Sequence, residues 1–176
     1  MQHLFLIGYR GSGKSTVGRG LSDALQRALI DTDKQIEASV GREIKLIFEQ
    51  TGEAGFRDLE DAAVKEASES ETAAIVSLGG GAILREANRE LIRRHGKCVW
   101  LRGSADSLFA RISGDPSSLT SRPDLSDRGG FEEVVEMLKT REPFYADLAD
   151  LAVDTDEKAP DELVSEIVHW LKTQAN

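Results

Sequence analysis

Residues 8–15 read GYRGSGKS and have the spacing of a phosphate-binding loop, G-x-x-x-x-G-K-[ST]. Glycines at these positions let backbone amides turn towards an anion, and the helix that follows adds the positive end of its dipole. Lys14 would then reach the β- and γ-phosphates, and the Ser15 hydroxyl would ligate Mg²⁺. An apolar run precedes the pattern and an amphipathic stretch follows it, so the sequence predicts a site for a nucleoside triphosphate.

Two aspartates follow the second apolar run of the chain. Asp31 and Asp33 come directly after Leu29-Ile30, at the expected carboxyl end of a strand, which is the edge where ligands of open α/β sheets bind. If that strand neighbours the first, one acid could hold Mg²⁺ through water while the other accepts a proton from an attacking hydroxyl. The alternative is that an aspartate caps the next helix, but one cap accounts for one acid and not for two.

Two further features have a structural and a functional interpretation. Arg57 lies one turn from both Glu60 and Asp61 in a helix-like stretch, and in isolation this spacing favours a surface ion pair. Gly79–Gly81 follow the third apolar run. Three consecutive glycines form either a flexible turn or a backbone that approaches a ligand closely.

Two arginines could cover the phosphates or bind an acceptor. Arg122 lies in residues 114–130, which hold two of the four prolines, three glycines and no hydrophobic periodicity. Such a segment in a compact domain is usually a functional lid or a disordered loop. Arg141 stands before Glu142-Pro143 at the expected end of a helix. Mobile arginines that close over phosphates are typical of kinases, but Arg122 could equally be solvated, and Arg141 could complement the helix C-terminus.

These candidate residues can form one site only if the fold brings them to the same edge of a sheet. Near-continuous apolar runs, as expected of parallel strands covered on both faces, alternate with longer amphipathic stretches typical of helices. The runs are at residues 3–7, 28–30, 73–78, 98–101 and 148–153, and the helix-like stretches at 14–27, 33–40, 43–50, 53–69, 85–95, 105–113, 131–144 and 161–172. This alternation predicts a three-layer α/β/α fold around a parallel sheet.

Composition narrows the classes of function. The 176 residues suffice for one domain, and 31 acidic against 22 basic residues give a net charge of −9, which argues against nucleic acid or an anionic membrane as a partner. The lone Cys98 allows no internal disulfide, and the apolar run at residues 4–7 is too short for a signal peptide or a membrane span. We therefore expect a soluble, cytoplasmic protein.

Three classes of nucleotide enzyme remain, and the residues favour one. A GTPase switch needs Asn-Lys-x-Asp to read guanine, but neither Asn88 nor Asn176, the two asparagines of the chain, begins that pattern. A mechanical ATPase needs oligomerisation elements, for which a chain of this length leaves little room. A small-molecule kinase needs an acceptor pocket, a carboxylate near the acceptor hydroxyl and arginines over the phosphates, and the sequence offers all three.

In order along the chain, the segments GYRGSGKST, DTD, FRDLE, SLGGG, RP, REPFY and VDT resemble the motifs of the shikimate kinase family nearly end to end. The resemblance implies a P-loop kinase fold with a lid and a five-stranded parallel sheet of the nucleoside monophosphate kinase type. It further implies a single domain with a core at 1–32, 70–113 and 131–176, a substrate-binding helical excursion at 33–69 and a lid at about 114–130.

The activity implied by the resemblance is ATP-dependent phosphorylation of the 3-hydroxyl of shikimate, giving shikimate 3-phosphate in aromatic amino-acid biosynthesis. Asp33 would bind the acceptor hydroxyls and act as base, with Lys14 and Arg122 as the other catalytic residues. One Mg²⁺ per subunit would be held by Ser15 and Asp31. The implied ATP-binding residues are Gly11, Ser12, Gly13, Lys14, Ser15, Thr16, Arg111 and Arg122; those implied for the substrate are Asp33, Arg57, Gly79, Gly80, Gly81 and Arg141, with Phe48, Phe56 and Glu60 lining the pocket.

Two alternatives stay open. One is a related small-molecule kinase with another hydroxylated acceptor, such as gluconate. The other is a nucleotide-binding module that has lost catalysis, although an intact Asp33 and three placed arginines argue against it. The expected partners are ATP and shikimate, with no nucleic acid and no membrane, and we expect a monomer.

Overall fold

A five-stranded parallel sheet forms the centre of the fold. The computed structural model describes residues 2–114 and 130–174. The strands are β1 (His3–Ile7), β2 (Leu29–Asp31), β3 (Ile75–Ser77), β4 (Gly96–Arg102) and β5 (Leu151–Asp154), in the order β2-β3-β1-β4-β5. Every pair of neighbouring strands is parallel, so the carboxyl ends of all five strands lie at the same edge.

Helices cover both faces of this sheet. They are α1 (Lys14–Leu25), α2 (Thr32–Val40), α3 (Ile44–Ser68), α4 (Glu86–His95), α5 (Ala105–Gly114), α6 (Gly130–Leu148) and α7 (Pro160–Gln174), and a 3₁₀ turn spans Ala82–Leu84. None of the helices in the described ranges has both the length and the apolar composition that a membrane span requires.

The central strand β1 shows why the apolar runs are continuous. All five of its residues are buried. Leu4 and Leu6 pack with residues of α1 and α7, whereas Phe5 and Ile7 pack on the opposite face with residues of α3, α4 and α6. A strand covered on both faces has no solvent-facing positions for polar side chains. The predicted three-layer α/β/α fold with a parallel sheet is confirmed.

Helix α6 ends beyond its predicted boundary at residue 144. Pro143 stands inside the helix, which continues to Leu148. Proline removes one helical hydrogen bond and usually kinks or ends a helix, but Tyr145 and Leu148 are buried in the core against the sheet, and this packing stabilises the last turn. Arg141 therefore does not lie at a helix C-terminus, and its interpretation as a residue that complements the helix dipole is wrong.

The predicted helices at 43–50 and 53–69 form the two halves of α3. They meet at Gly52, whose backbone angles (φ 68°, ψ −178°) interrupt the helix. The division of the domain into core, excursion and lid stays a prediction. Of the predicted lid, only the end residues Gly114 and Gly130 belong to the described part of the chain. Helices α2 and α3 enclose a small apolar cluster that comprises Ile36, Ile44, Ile47, Phe48, Phe56 and Ala63.

Candidate active site

The phosphate loop, the aspartates and the triple glycine (Gly79–Gly81, the glycine loop) come together at one edge of the sheet. They follow β1, β2 and β3, whose register aligns Leu6 with Ser77 and Ser77 with Asp31. Because β3 lies between β1 and β2, the condition that β2 neighbours β1, on which the sequence argument for the two acids depended, is not met. Asp31 nevertheless reaches the phosphate loop, since the Ser15 hydroxyl donates to it at 3.2 Å (Oγ to Oδ2).

The phosphate loop has the backbone geometry of an anion site. Gly8, Gly11 and Gly13 have positive φ angles of 145°, 81° and 89°, and α1 begins directly after the last of them. The Lys14 ammonium donates to the carbonyl oxygens of Gly8 at 2.8 Å and Tyr9 at 3.0 Å. The start of a helix favours negative charge. The loop can therefore hold a phosphate chain at the start of α1.

Asp31 caps α2 and also contacts the phosphate loop. Its Oδ1 accepts hydrogen bonds from the amides of Asp33 at 3.2 Å and Lys34 at 3.4 Å, and these bonds cap α2. Its Oδ2 accepts the hydrogen bond from Ser15. Asp31 is therefore the helix cap, and Asp33 lies in the first turn of the helix.

The adjacent oxygens of Ser15 and Asp31 suit a hard cation. Mg²⁺ prefers oxygen ligands, and it usually keeps several waters while it binds one or two protein groups and substrate phosphates. Among the described residues there is no cluster of three or more His, Cys, Asp and Glu side chains that could hold a metal. A cation here would therefore depend on phosphate oxygens and water for its remaining ligands, so the donor set fits a Mg²⁺–nucleotide complex.

Arg57 forms the predicted ion pair, but not at the surface. Its guanidinium donates to Glu60 at 2.5 Å (Nη1 to Oε2) and to Glu53 at 3.1 Å (Nη2 to Oε1), and the residue is only 6% exposed. Asp61 pairs with Arg85 instead. The expectation of a surface pair is wrong because this face of α3 packs against the glycine loop rather than facing solvent.

Arg141 is a buried cation without a carboxylate partner among the described residues. It is 4% exposed. Its guanidinium carbon lies 5.5 Å from the centroid of the Tyr9 ring, and Nη2 lies 3.8 Å from the sulfur of Met137. Neither contact neutralises the charge, and a buried charge that stays unpaired costs several kcal/mol. The position therefore suits an anionic group of a ligand.

The glycine loop brings the two arginines to one place. A β-carbon on Gly81 would lie 2.6 Å from Cζ of Arg57, and one on Gly80 would lie 3.5 Å from Nη1 of Arg141. Arg57 comes from α3 and Arg141 from α6, so residues far apart in the chain meet across two adjacent glycines. A guanidinium carries a planar set of N–H donors that can match a carboxylate, and in Arg57 both terminal nitrogens already bond to Glu60 and Glu53. One carboxylate bound between them is the ligand group that this arrangement fits best.

An aromatic pair borders Arg57. Phe48 and Phe56 stack with their ring centroids 4.3 Å apart, and Cζ of Arg57 lies 5.7 Å from the centroid of Phe56. Glu60, bonded to Arg57, is also buried. Asp33 is half-buried at the start of α2. The residues suggested for the acceptor thus supply an apolar wall, two cations and a carboxylate.

Arg111 joins the segment after β5 to the phosphate loop. It donates to the Thr155 hydroxyl at 2.9 Å, to the Thr155 carbonyl at 2.5 Å and to the Gly11 carbonyl at 3.5 Å. A contact between Arg111 and adenine stays a prediction, and Arg122 lies outside the described residues. The other ATP-binding candidates belong to the loop or to the first turn of α1: Gly11, Ser12, Gly13 and Thr16.

Two residues that the sequence did not single out bind the glycine loop. Thr32 accepts a hydrogen bond from the Gly79 amide at 3.1 Å, and Tyr145 donates to the Gly80 carbonyl at 2.6 Å. In the sequence, Thr32 stands between two acids, and Tyr145 follows Arg141 by one helical turn. Neither spacing indicates which distant backbone group the hydroxyl meets.

The fold and the site define a class of protein. A phosphate loop between a strand and a helix, an aspartate bonded to its serine and two buried arginines at the neighbouring strand end are typical of a P-loop kinase that acts on a small acid. The sequence profile of the shikimate kinase family matches residues 10–172. The chain is 44% identical over 167 residues to a shikimate kinase of Rhodopirellula baltica, across 95% of this chain and 89% of the relative. It belongs to the shikimate kinase family.

Solved structures agree with this assignment. A shikimate kinase from Acinetobacter baumannii, solved in complex with shikimate, has a TM-score of 0.91 at 32% identity, across 99% of this chain and 94% of that one. A gluconokinase from Sinorhizobium meliloti has a TM-score of 0.62 at 19% identity, across 99% of this chain and 98% of that one, which shows a shared fold alone. The chain is thus a phosphotransferase of the shikimate kinase family.

Gly81→Ala should weaken binding of the acceptor substrate, because the added methyl group would displace the Arg57 guanidinium. We expect KM for the acceptor to rise about tenfold, with KM for ATP close to wild type. Steady-state kinetics with each substrate varied in turn measures this.

The matched control is Gly20→Ala, whose β-carbon would lie 2.7 Å from Cγ2 of Val164, where α1 packs on α7. It crowds a helix contact outside the site and should leave both KM values unchanged. An unchanged acceptor KM in Gly81→Ala would show that the loop does not need to approach Arg57 this closely.

Proposed function

We propose that the protein transfers the γ-phosphoryl group of ATP to the 3-hydroxyl of shikimate, giving ADP and shikimate 3-phosphate. The observation that carries this proposal is the buried guanidinium of Arg141, which has no carboxylate partner among the described residues and meets Arg57 across Gly80 and Gly81. A small acid with one carboxylate and a hydroxylated ring supplies the missing charge at one end and the acceptor hydroxyl at the other. Membership of the shikimate kinase family supports the same substrate.

The two arginines would bind the shikimate carboxylate together. Arg57 is already oriented and charge-balanced by Glu60 and Glu53, so it contributes mainly hydrogen-bond geometry. Arg141 contributes the uncompensated charge. Lysine could not replace either residue, because a bidentate pair with a carboxylate requires the planar guanidinium fork. The glycine loop would lie under the ring, where no side chain separates the two guanidinium groups.

Asp33 would act on the acceptor hydroxyl. As the 3-hydroxyl oxygen bonds to the γ-phosphorus, the bond from that phosphorus to the bridging oxygen of ADP breaks, and the hydroxyl proton passes to the Asp33 carboxylate. Asp31 caps α2 and accepts a hydrogen bond from Ser15. We therefore assign the cap and the cation to Asp31 and the acceptor hydroxyl to Asp33.

The phosphate chain of ATP would be held by the loop amides and by Lys14, which neutralises charge on the transferring group. Ser15 and Asp31 would hold Mg²⁺, which neutralises further phosphate charge when bound. Arg122 would close over the phosphates, and Arg111 would lie near adenine. Catalysis of this kind consists of positioning and charge neutralisation. We also propose that the protein acts as a cytoplasmic monomer.

A substrate panel tests the proposed function. ADP release by the purified protein with ATP and Mg²⁺ is measured with shikimate, gluconate, a nucleoside monophosphate or no acceptor. We expect release that depends on shikimate. Turnover with one of the other acceptors and not with shikimate would show that shikimate is not the substrate. No turnover with any acceptor would indicate a nucleotide-binding module that has lost catalysis.

Arg141→Met should lower activity without lowering stability. Methionine keeps an unbranched side chain and removes the buried charge. We therefore expect kcat/KM for shikimate to fall by about 100-fold or more, while the free energy of unfolding stays the same or rises. Kinetics and denaturant unfolding on one preparation measure both quantities.

The matched control is Arg89→Met. Arg89 is similarly buried, but it donates to the carbonyls of Ile83 at 2.6 Å and Leu84 at 3.0 Å and pairs with Glu86. Its loss should lower the free energy of unfolding by roughly 3 kcal/mol. A loss of stability as large in Arg141→Met would mean that Arg141 is a structural residue, contrary to the proposal.

Asp33→Asn should remove the base and leave α2 intact, because Asp31 supplies the cap. We expect kcat to fall by about 100-fold or more with a small change in Tm. Asp161→Asn, which alters an acid in the first turn of α7, is the control and should change neither quantity. Near-normal kcat in Asp33→Asn would rule out Asp33 as the base.

A further inference from the structure

Side chains from α2 and α6 hold the glycine loop, and side chains from α4 hold the 3₁₀ turn that follows it. Thr32, at the start of α2, is fully buried. Its hydroxyl accepts a hydrogen bond from the Gly79 amide at 3.1 Å and donates to the Ser77 carbonyl at 3.3 Å. One hydroxyl thus joins the end of β3 to the first residue of the loop.

Tyr145 holds the next peptide of the loop. It is 0% exposed, its hydroxyl donates to the Gly80 carbonyl at 2.6 Å, and its ring stacks on Trp100 with the centroids 5.7 Å apart. Burial raises the pKa of Tyr145 to about 12, against the opposing effects of the Arg141 charge and of a side-chain hydrogen bond with Arg141, so the hydroxyl keeps its proton and remains a donor to the loop. Arg141 precedes Tyr145 by one helical turn, so α6 supplies both the arginine and the anchor of the loop.

Helix α4 fixes the 3₁₀ turn that follows the loop. Asn88 donates to the Ala82 carbonyl at 2.9 Å, and Arg89 donates to the Ile83 carbonyl at 2.6 Å. The Ala82 amide closes the turn by donating to the Gly79 carbonyl at 3.0 Å. The glycine loop is therefore held at both ends and in the middle.

The fixed carbonyls determine where the amides of the loop point. In a planar trans peptide, the C=O of one residue and the N–H of the next point in opposite directions, and the described chain has no cis peptide bond. The Gly81 amide therefore points away from Tyr145, which holds the Gly80 carbonyl, and the Gly80 amide points away from Ala82, which holds the Gly79 carbonyl. Neither amide has a hydrogen-bond partner in the described part of the chain, which leaves both for a ligand.

We propose that Thr32 and Tyr145 are positioning residues for the acceptor substrate, and that they act by holding the glycine loop against the two arginines. This inference rests on the proposed function. Both side chains are fully buried, so they do not act by contact with substrate; Thr32 acts through the loop, and Tyr145 acts through the loop and through its hydrogen bond with Arg141. Thr32 ties the loop to Asp31 and Asp33, and Tyr145 ties it to the helix of Arg141. Together, the two hydroxyls determine where the shikimate ring lies between Asp33, the proposed base, and the two arginines proposed to bind its carboxylate.

A purely structural role would give a different result. Buried backbone groups need hydrogen-bond partners in any case, so the two hydroxyls could serve stability alone. Their loss would then lower Tm and leave KM for both substrates unchanged. A positioning role predicts instead a rise in KM for shikimate that KM for ATP does not share.

Three variants test the proposal. Tyr145→Phe keeps the ring and removes the donor, Thr32→Val keeps the branched shape and removes the hydroxyl, and Thr32→Ser keeps the hydroxyl. We expect KM for shikimate to rise about tenfold in Tyr145→Phe and in Thr32→Val, with KM for ATP changed by less than about twofold. Thr32→Ser should restore KM for shikimate to near the wild-type value.

Ser22→Ala is the matched control, because the Ser22 hydroxyl donates to the Arg27 carbonyl at 2.6 Å, at the end of α1 away from the phosphate loop. It should leave both KM values unchanged.

An unchanged KM for shikimate in both hydroxyl-free variants, or a rise that Thr32→Ser does not reverse, would overturn the proposal. A variant that fails to fold by circular dichroism would assign its hydroxyl to stability and overturn the proposal for that residue. A wild-type protein without activity on shikimate would overturn the proposed function as well, so the two failures are distinguishable.

Discussion

The site depends on a buried positive charge that the described part of the chain does not neutralise. Arg141 lies beside Tyr9, Met137, Tyr145 and the glycine loop, and no carboxylate of residues 2–114 or 130–174 pairs with it. Such a charge destabilises the folded protein until an anion binds, and we propose that the acceptor's carboxylate is this anion. The chain as a whole has a net charge of −9, which does not attract anions. The buried Arg141 guanidinium and the phosphate loop supply positive charge locally.

The fold supports this arrangement through the order of its strands. The phosphate loop follows β1 and the aspartates follow β2, while the glycine loop follows β3 between them. The groups suited to the phosphates and those suited to the acceptor therefore meet at adjacent strand ends. Helix α6 completes the site because it continues past Pro143 and buries Tyr145 against the sheet. That packing places Arg141 beside the loop that Tyr145 anchors.

The features that were predictable from the sequence are those encoded by neighbouring residues. Continuous apolar runs, the glycines of the phosphate loop and the aspartate pair indicated the layered fold and the edge that carries the site. The burial of Arg57, the continuation of α6 through Pro143 and the hydrogen bonds of Thr32 and Tyr145 depend on contacts between residues far apart in the chain. A spacing of three or four residues shows that Arg57 can pair with Glu60, but not that the glycine loop covers the pair. The roles of the individual site residues remain predictions.

The central claim is that Arg57 and Arg141 together form a site for the carboxylate of the acceptor. Isothermal titration calorimetry of the wild-type protein with shikimate and with shikimate methyl ester tests it most directly, because the ester keeps the ring and its hydroxyls and removes the charge. We expect the ester to bind about 100-fold or more weakly than the acid. Equal Kd values for the two ligands would contradict it.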